Sequence, residues 1–293
     1  MSELGGFEIE DGPDGLTMVV TSGWSTEAER RLGVGDVTGL TLNYALGFQE
    51  PDLEFLRDWP IRRLTILART ITDLTPVYRT APTLERLSVQ SSPSARIDLR
   101  RLPWLTAVAA DWQQVADTIE YALALNDLFA ASYNAPDLHP LRRNEALVRL
   151  QMKQHPKLRS LDGLAELRSM REVGIFGARA MDDISALDIR AGAPTLERLN
   201  LDSCSAFTSL EPLSGQKLLE VLGIANCGPV ESLLPIGDMQ RLQRLHAYES
   251  TRIADGDLSP VLGLLALRDL RMMNRRHYKP SVQEVKRRLG LPD

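Results

Sequence analysis

The stretch Leu196–Leu218, LERLNLDSCSAFTSLEPLSGQKL, decides how the rest of the chain is read. Its first half, Leu196-x-x-Leu199-x-Leu201-x-x-Cys204, alternates apolar and polar residues as a short half-buried strand does, then turns out on a thiol. Its second half, Phe207-x-x-Leu210-x-Pro212-Leu213, carries the chain back over the outside. Working outward, the first core residue of the strand recurs at Leu40, Leu64, Leu87, Val108, Leu128, Leu150, Val173, Leu199, Leu222, Leu245 and Leu270, in steps of 20 to 26 residues. The second recurs at Leu42, Ile66, Val89, Ala110, Ala130, Met152, Ile175, Leu201, Ile224, Ala247 and Met272, apolar every time. Periodicity at two coupled positions marks an architecture built from one repeated unit.

On these residues the chain resembles the leucine-rich repeat family over about 80% of its length. The resemblance implies an α/β fold: a right-handed solenoid (horseshoe) of about eleven turns with a concave parallel β-sheet, a convex side of 3₁₀ turns and short helices, and N- and C-terminal caps. The outer halves Ile71-x-Asp73-Leu74-x-Pro76-Val77, Leu210-x-Pro212-Leu213 and Leu258-x-Pro260-Val261 look like the short subclass with a 3₁₀-type outer turn. At the ninth position the family places Asn or Cys to bond adjacent turns. Here that position reads Cys204 and Cys227, but elsewhere Arg69, Gln113, Tyr133 or His155, so a partial ladder is expected. Between Leu105 and Asn126 the pattern nearly fails, and a degenerate repeat packed by Trp112 and Ile119 is expected.

Both ends depart from the unit. Residues 1–36 contain two strand-like runs, Phe7–Glu10 and Leu16–Val20, around the turn composition Asp11-Gly12-Pro13-Asp14-Gly15. Ser25–Leu32 then reads as a short helix with Thr26 as N-cap and Glu29 completing a capping box. This segment is expected to cap the array, with Trp24 as its large buried anchor. Repeats then occupy 37–274, and 275–293 end in a capping helix with apolar Val282, Val285 and Leu289, stopped at Gly290, the whole forming one continuous domain. Residues 268–293 hold eight Lys/Arg against three Asp/Glu, and residues 1–36 two against eight. Solvated caps on a monomer are the expectation, with head-to-tail association the less favoured alternative.

Composition narrows the function classes. The chain has 293 residues, 43% apolar and 25% charged, as soluble globular proteins do. A net charge of −5 argues against a nucleic-acid partner, because phosphate binding needs a concentrated basic surface. Two cysteines do not make a disulfide framework and read as reduced thiols of a cytoplasmic protein. The acidic start MSELGGFEIEDGPDG does not read as a signal peptide, and no window has the length and apolarity to cross a bilayer. The excess of Arg over Lys, with rich Ala, Gly, Leu and Asp, points to a high-GC bacterial source.

A search for chemistry returns little. Among His139, His155, His246 and His277 no two stand at i, i+4, and no phosphate loop, nucleophile elbow or C-x-x-C pair occurs. Cys204 and Cys227 stand one repeat apart and read as buried ladder thiols rather than a metal or redox pair, so neither metal nor cofactor is expected. What the pattern offers is a surface. Side chains between and after the two core positions face away from the core, and among them Leu67, Asp111, Phe129, Lys153, Phe176, Asp202, Tyr248, His246, Arg271 and Met273 are the candidate partner-binding residues. The apolar members, Leu67, Phe129, Phe176, Tyr248 and Met273, are expected to be exposed. The reading is a non-enzymatic module binding a protein through the concave face, as an immunity or inhibitor protein or an adaptor. The alternative is an enzyme site assembled across repeats from Asp111, His155, His246 and Asp202.

Overall fold

The computed structural model describes residues 6–292, which form two compact units that divide between Phe129 and Ala130. The first opens with an antiparallel hairpin, β1 (Phe7–Gly12) and β2 (Gly15–Val20), closed by Pro13-Asp14. Helix α1 (Thr26–Gly33) follows, and its N-cap is Ser25 rather than Thr26: the Ser25 hydroxyl accepts from the Ala28 amide at 3.2 Å. Adjacent Ser and Thr offer the same oxygen, and the choice made here turns Ala28 and Leu32 inward. Trp24 is not the buried anchor. Its half-buried ring stacks on Phe55 at 4.0 Å between centroids, while Phe48 and Leu32 fill the interior.

From β2 the strands run parallel: β3 (Val37–Asn43), β4 (Arg63–Leu67), β5 (Arg86–Gln90) and β6 (Ala107–Asp111) pair in that order. Each coil must return the chain to the same end of the sheet, so its strands cannot be antiparallel. The register is the one the sequence implies, with Leu40 opposite Leu64, Leu64 opposite Leu87 and Leu87 opposite Val108. It also begins earlier than expected, because Met18 of the hairpin lies opposite Leu40. In the degenerate stretch, helix α2 (Trp112–Val115) replaces the usual turn, and Trp112 and Ile119 are both buried. Strand β7 (Asp127–Ala131) falls at the unit boundary.

In the second unit β8 (Arg149–Lys153), β9 (Glu172–Ile175), β10 (Arg198–Asn200), β11 (Val221–Gly223), β13 (Arg244–Ala247) and β15 (Asp269–Met272) form the parallel ladder, and β12 (Pro229–Val230) pairs with β14 (Arg252–Ile253) beside it. Leu150, Val173, Leu199, Leu222, Leu245 and Leu270 stand opposite one another in sequence, all buried. The second row is buried as well except at Met272, which is half-buried in the last strand. A fully buried Leu contributes about 1.5–3 kcal/mol, so these two rows carry most of the stabilisation. Helix α3 (Val282–Leu289) ends the unit, capped by the Ser281 hydroxyl and by Gly290 in the left-handed region, with Val282 and Val285 turned inward.

The outer returns are 3₁₀ turns such as Thr75–Thr80, Glu211–Leu213, Leu234–Ile236 and Ser259–Gly263, each with proline at its start, where the lost N–H has no partner to forgo. A second device sits just upstream. Asp73, Asp183 and Asp257 each accept from the backbone N–H two residues on, at 2.8 Å, a side-chain turn that aims the chain into the 3₁₀ segment. The ladder between coils is partial, as expected, and Cys204 and Cys227 both belong to it. Cys204 Sγ donates to Ile175 O at 3.5 Å, Cys227 Sγ to Leu201 O at 2.8 Å, and Thr251 Oγ1 to Ile224 O. Arg69, Gln113 and His155 do not join it; they are exposed, and Ala68, Gln114 and Pro156 take the buried positions beside them. Of that set Tyr133 is buried.

Candidate functional site

The strand faces opposite the core carry three rows of side chains: before, between and after the two core positions. In the first unit they are mostly uncharged and short, with Thr41, Thr65, Ser88 and Ala109 in the middle row and Asn43, Leu67, Gln90 and Asp111 in the last. Leu67 is half-buried between Asn43 and Gln90, and Asp111 is the N-cap residue of α2. Phe129 ends this unit, half-buried.

The second unit is different in kind. Phe176, just past β9, lies back over Gly174: a Cβ on that glycine would come within 2.9 Å of the ring. Lys153 Nζ stands 5.0 Å from the centroid of the same ring, in cation–π range. Two strands on, Asn200 and Asp202 lean across Gly223, where a Cβ would collide with Asn200 Oδ1. Asp202 Oδ1 accepts from the Ala225 amide at 3.0 Å, and burial raises its pKa against that bond and the charge of His246. His246 Nε2 is 2.8 Å from Asp269 Oδ2, and its ring meets Tyr248 edge-on at 6.4 Å. Burial alone would raise Asp269; the bonds from His246 and Arg271, the latter at 3.2 Å, outweigh it and hold the carboxyl below its ordinary value.

Lys153, Phe176, Asp202, His246, Tyr248 and Arg271 therefore share one face of the second unit, with Gly174, Gly223 and Ala225 between them. Met273, beyond β15, is 54% exposed, whereas Phe176 and Tyr248 are half-buried. Of the four residues in the enzyme alternative, only Asp202 and His246 influence each other. Asp111 belongs to the first unit, and His155 lines a loop cavity that neither of them borders. Among the described residues no three His, Cys, Asp or Glu side chains gather as metal ligands would. Cys204 and Cys227 are free and buried, with burial pushing both thiols up to about 12, so neither is a thiolate at neutral pH.

Sequence reasoning missed the row before the first core position: Arg63 and Arg86 in the first unit, and Arg149, Glu172, Arg198, Arg244 and Asp269 in the second. Glu172 bridges two of them, 3.0 Å from Arg149 and 3.4 Å from Arg198. The same period-two alternation, counted one step further back, would have found this row. Also missed was Trp104, 62% exposed, lining a shallow cavity of ≈ 380 Å³ in the first unit with Pro82 and the Arg62–Glu85 ion pair.

No protein-family model matches the sequence, and no curated protein matches it either. Solved structures do share its coils. An internalin (InlF) of Listeria monocytogenes is 18% identical, with 87% of this chain and 73% of that one covered, at a TM-score of 0.61. TLR13 in its complex with ssRNA13 is 14% identical over 81% of this chain and 42% of its own, at 0.50. A leucine-rich repeat protein of Leptospira interrogans is 13% identical over 94% and 89%, at 0.38. Among the described residues no helix is long and apolar enough to cross a membrane. Paired core rows in matched register, a Cys and Thr ladder between coils, 3₁₀ outer returns and this structural likeness together show that the chain has the leucine-rich repeat fold.

Proposed function

We propose that the chain is a non-enzymatic binding module that seats a protein partner on the strand face of the second unit, centred on Phe176 and Tyr248. The observation that carries this reading is the pairing of large rings with glycine and alanine neighbours on one face. The small residues let the Phe176 ring lie flat over Gly174, and Asn200 and Asp202 over Gly223, so that a partner would meet ring and polar edges, and Lys153, His246, Asp269 and Arg271 supply a polar rim. A net charge of −5 favours protein over nucleic acid as the ligand. Within this class the reading is a bacterial cytoplasmic protein that clamps a cognate toxin or enzyme, or joins two proteins as an adaptor. The enzyme alternative has less support, because Asp202 is engaged by a backbone amide and His246 by Asp269. The test is affinity capture from the native cell with quantitative mass spectrometry. Phe176→Ala with Tyr248→Ala should keep the wild-type melting temperature and lose the captured protein. Retention of the same protein at the same yield would overturn the assignment.

A further inference from the structure

A cavity of ≈ 600 Å³ lies within the second unit among the loops that follow the strands, away from the strand face, and His155, Lys157, Arg159 and Arg179 all line it. It originates in one extra residue. Gln154 and His155 take successive positive φ values of 61° and 58°, whereas Ser132, Ser203, Asn226 and Glu249 each do so singly. The insertion drives Pro156 inward to the buried position and lifts His155 to the surface. The neighbouring coil has Gly177 there, at φ 88°, so that no side chain fills the space beside the His155 ring.

The cavity's charge runs against that of the chain, which is −5 overall. No Asp or Glu lines it, and Lys157, Arg159 and Arg179 make no ion pair among the described residues. Asp137, Asp162 and Asp183 do not line it and bond within their own turns: Asp137 accepts from His139 N at 3.0 Å, Asp183 from Ser185 N at 2.8 Å, and Asp162 from the Ser160 hydroxyl at 2.9 Å. Cations lining one cavity repel one another, and an anion bound among them relieves that repulsion. Two guanidinium forks and an ammonium match the tetrahedral oxygens of a phosphoryl dianion better than a single carboxylate. The walls between them, Pro136, Pro156 and Ala180, are apolar, and the volume is that of a small-molecule site. We propose that this cavity binds a soluble organic phosphate monoester, its phosphoryl group on Arg159, Arg179 and Lys157 and its apolar body against the prolines. The site shares no residue with the proposed partner-binding face, so either can fail alone.

The test is calorimetric titration of the full chain at low salt with phenyl phosphate, inorganic phosphate and benzoate. Phenyl phosphate should saturate one site and bind more tightly than either of the others. Arg159→Ala with Arg179→Ala should weaken it by about tenfold or more at an unchanged melting temperature, while Arg287→Ala with Arg288→Ala, the same loss of charge on α3, should leave it unaltered. Absence of saturable binding, or equal weakening by both double variants, would overturn the site. Inorganic phosphate binding as well as phenyl phosphate would overturn the apolar half of the claim. Glycerol 3-phosphate should displace phenyl phosphate; sedimentation of the chain with phosphatidic acid vesicles, without such displacement, would refute a soluble ligand.

Discussion

The strand faces of the two units are built on the same backbone register and the same pair of buried rows, yet they present opposite chemistry. The first unit offers chiefly Thr, Ser, Asn and Gln, groups that hydrate easily and pack little, with Leu67 among them, Arg63 and Arg86 along one row and Phe129 at its end. The second offers Phe176 and Tyr248, charged partners around them, and glycines where any side chain would collide with Phe176 or Asn200. Since the core rows are equally apolar in both, folding alone does not account for the difference. It lives on the outward positions, where residue choice is free of the core and open to selection for a ligand.

The largest effect expected is on the shared scaffold. Leu199→Asp or Leu222→Asp buries a carboxylate with no partner, which costs several kcal/mol, comparable with the stability of a domain, and should abolish the cooperative melting transition followed by circular dichroism. A wild-type melting temperature in either variant would mean that the register is misassigned and that the two faces are not the ones compared here.

Next comes the face itself. Gly223→Ala drives a methyl into Asn200 Oδ1 and toward Asp202 Oδ1, the ends of flexible side chains that can give way, and should destabilise by about 1 kcal/mol, the low end of overpacking. Adding Asn200→Ala should restore most of the loss, whereas Ala109→Gly on the first unit's face should not need any such compensation. Thermal denaturation of the single and double variants decides it; no rescue by Asn200→Ala would show that the close packing around Gly223 is not what the glycine serves.

Smaller again are the acid effects, and they differ in sign between turns and face. Hydrogen bonds from the Thr75, Ser185 and Ser259 hydroxyls and backbone amides hold Asp73, Asp183 and Asp257 below the ordinary carboxylate value. Their contribution is present above the unfolded pKa and is lost as pH falls through the folded one. Asp202 is raised by burial, so its contribution is full below the unfolded pKa and is lost as pH rises through the folded one. Asp202→Asn should therefore raise the melting temperature slightly at pH 7 and leave it unchanged near pH 3, while Asp73→Asn should lower it at pH 7. Equal shifts at both pH values would show that charge is not the cause.

The smallest effect expected is in the ladder. Cys204→Ser and Cys227→Ser keep a donor to the carbonyl of the preceding coil, and should cost no more than about 1 kcal/mol in chemical denaturation, because a hydroxyl is the stronger donor and offsets the cost of burying it. A loss of several kcal/mol would mean that the thiols are packed as apolar groups and that their bonds are incidental.

The two core rows were legible in the sequence because they repeat together: a chance match at Leu222 does not also place Ile224. The ladder was legible at Cys204 and Cys227 but not in the other coils, since Gln113 and His155 stand at the ninth position of their units in sequence but Gln114 and Pro156 occupy the buried site, displaced by α2 in one coil and by the extra left-handed residue in the other. Counting along a chain cannot see an insertion whose two residues are both polar. The N-cap slipped by one for a chemical reason, Ser25 and Thr26 being equivalent acceptors in the unfolded chain. On the candidate face, Phe176 and Tyr248 could be read from alternation, but not that Phe176 lies down over Gly174 or that His246 turns to Asp269, which depend on adjacent coils far apart in sequence. Trp104 was passed over because it lies in the return to the strand, outside both rows.

The comparison between the faces is tested most directly by titrating the captured partner, once purified, against variants of each unit. Phe176→Ala with Tyr248→Ala should weaken binding at least about thirtyfold, the cost of truncating true anchors, while Leu67→Ala with Trp104→Ala should change it less than about threefold. Strong weakening by the first-unit pair, with the second-unit pair indistinguishable from wild type, would place the binding surface on the other unit and contradict the account.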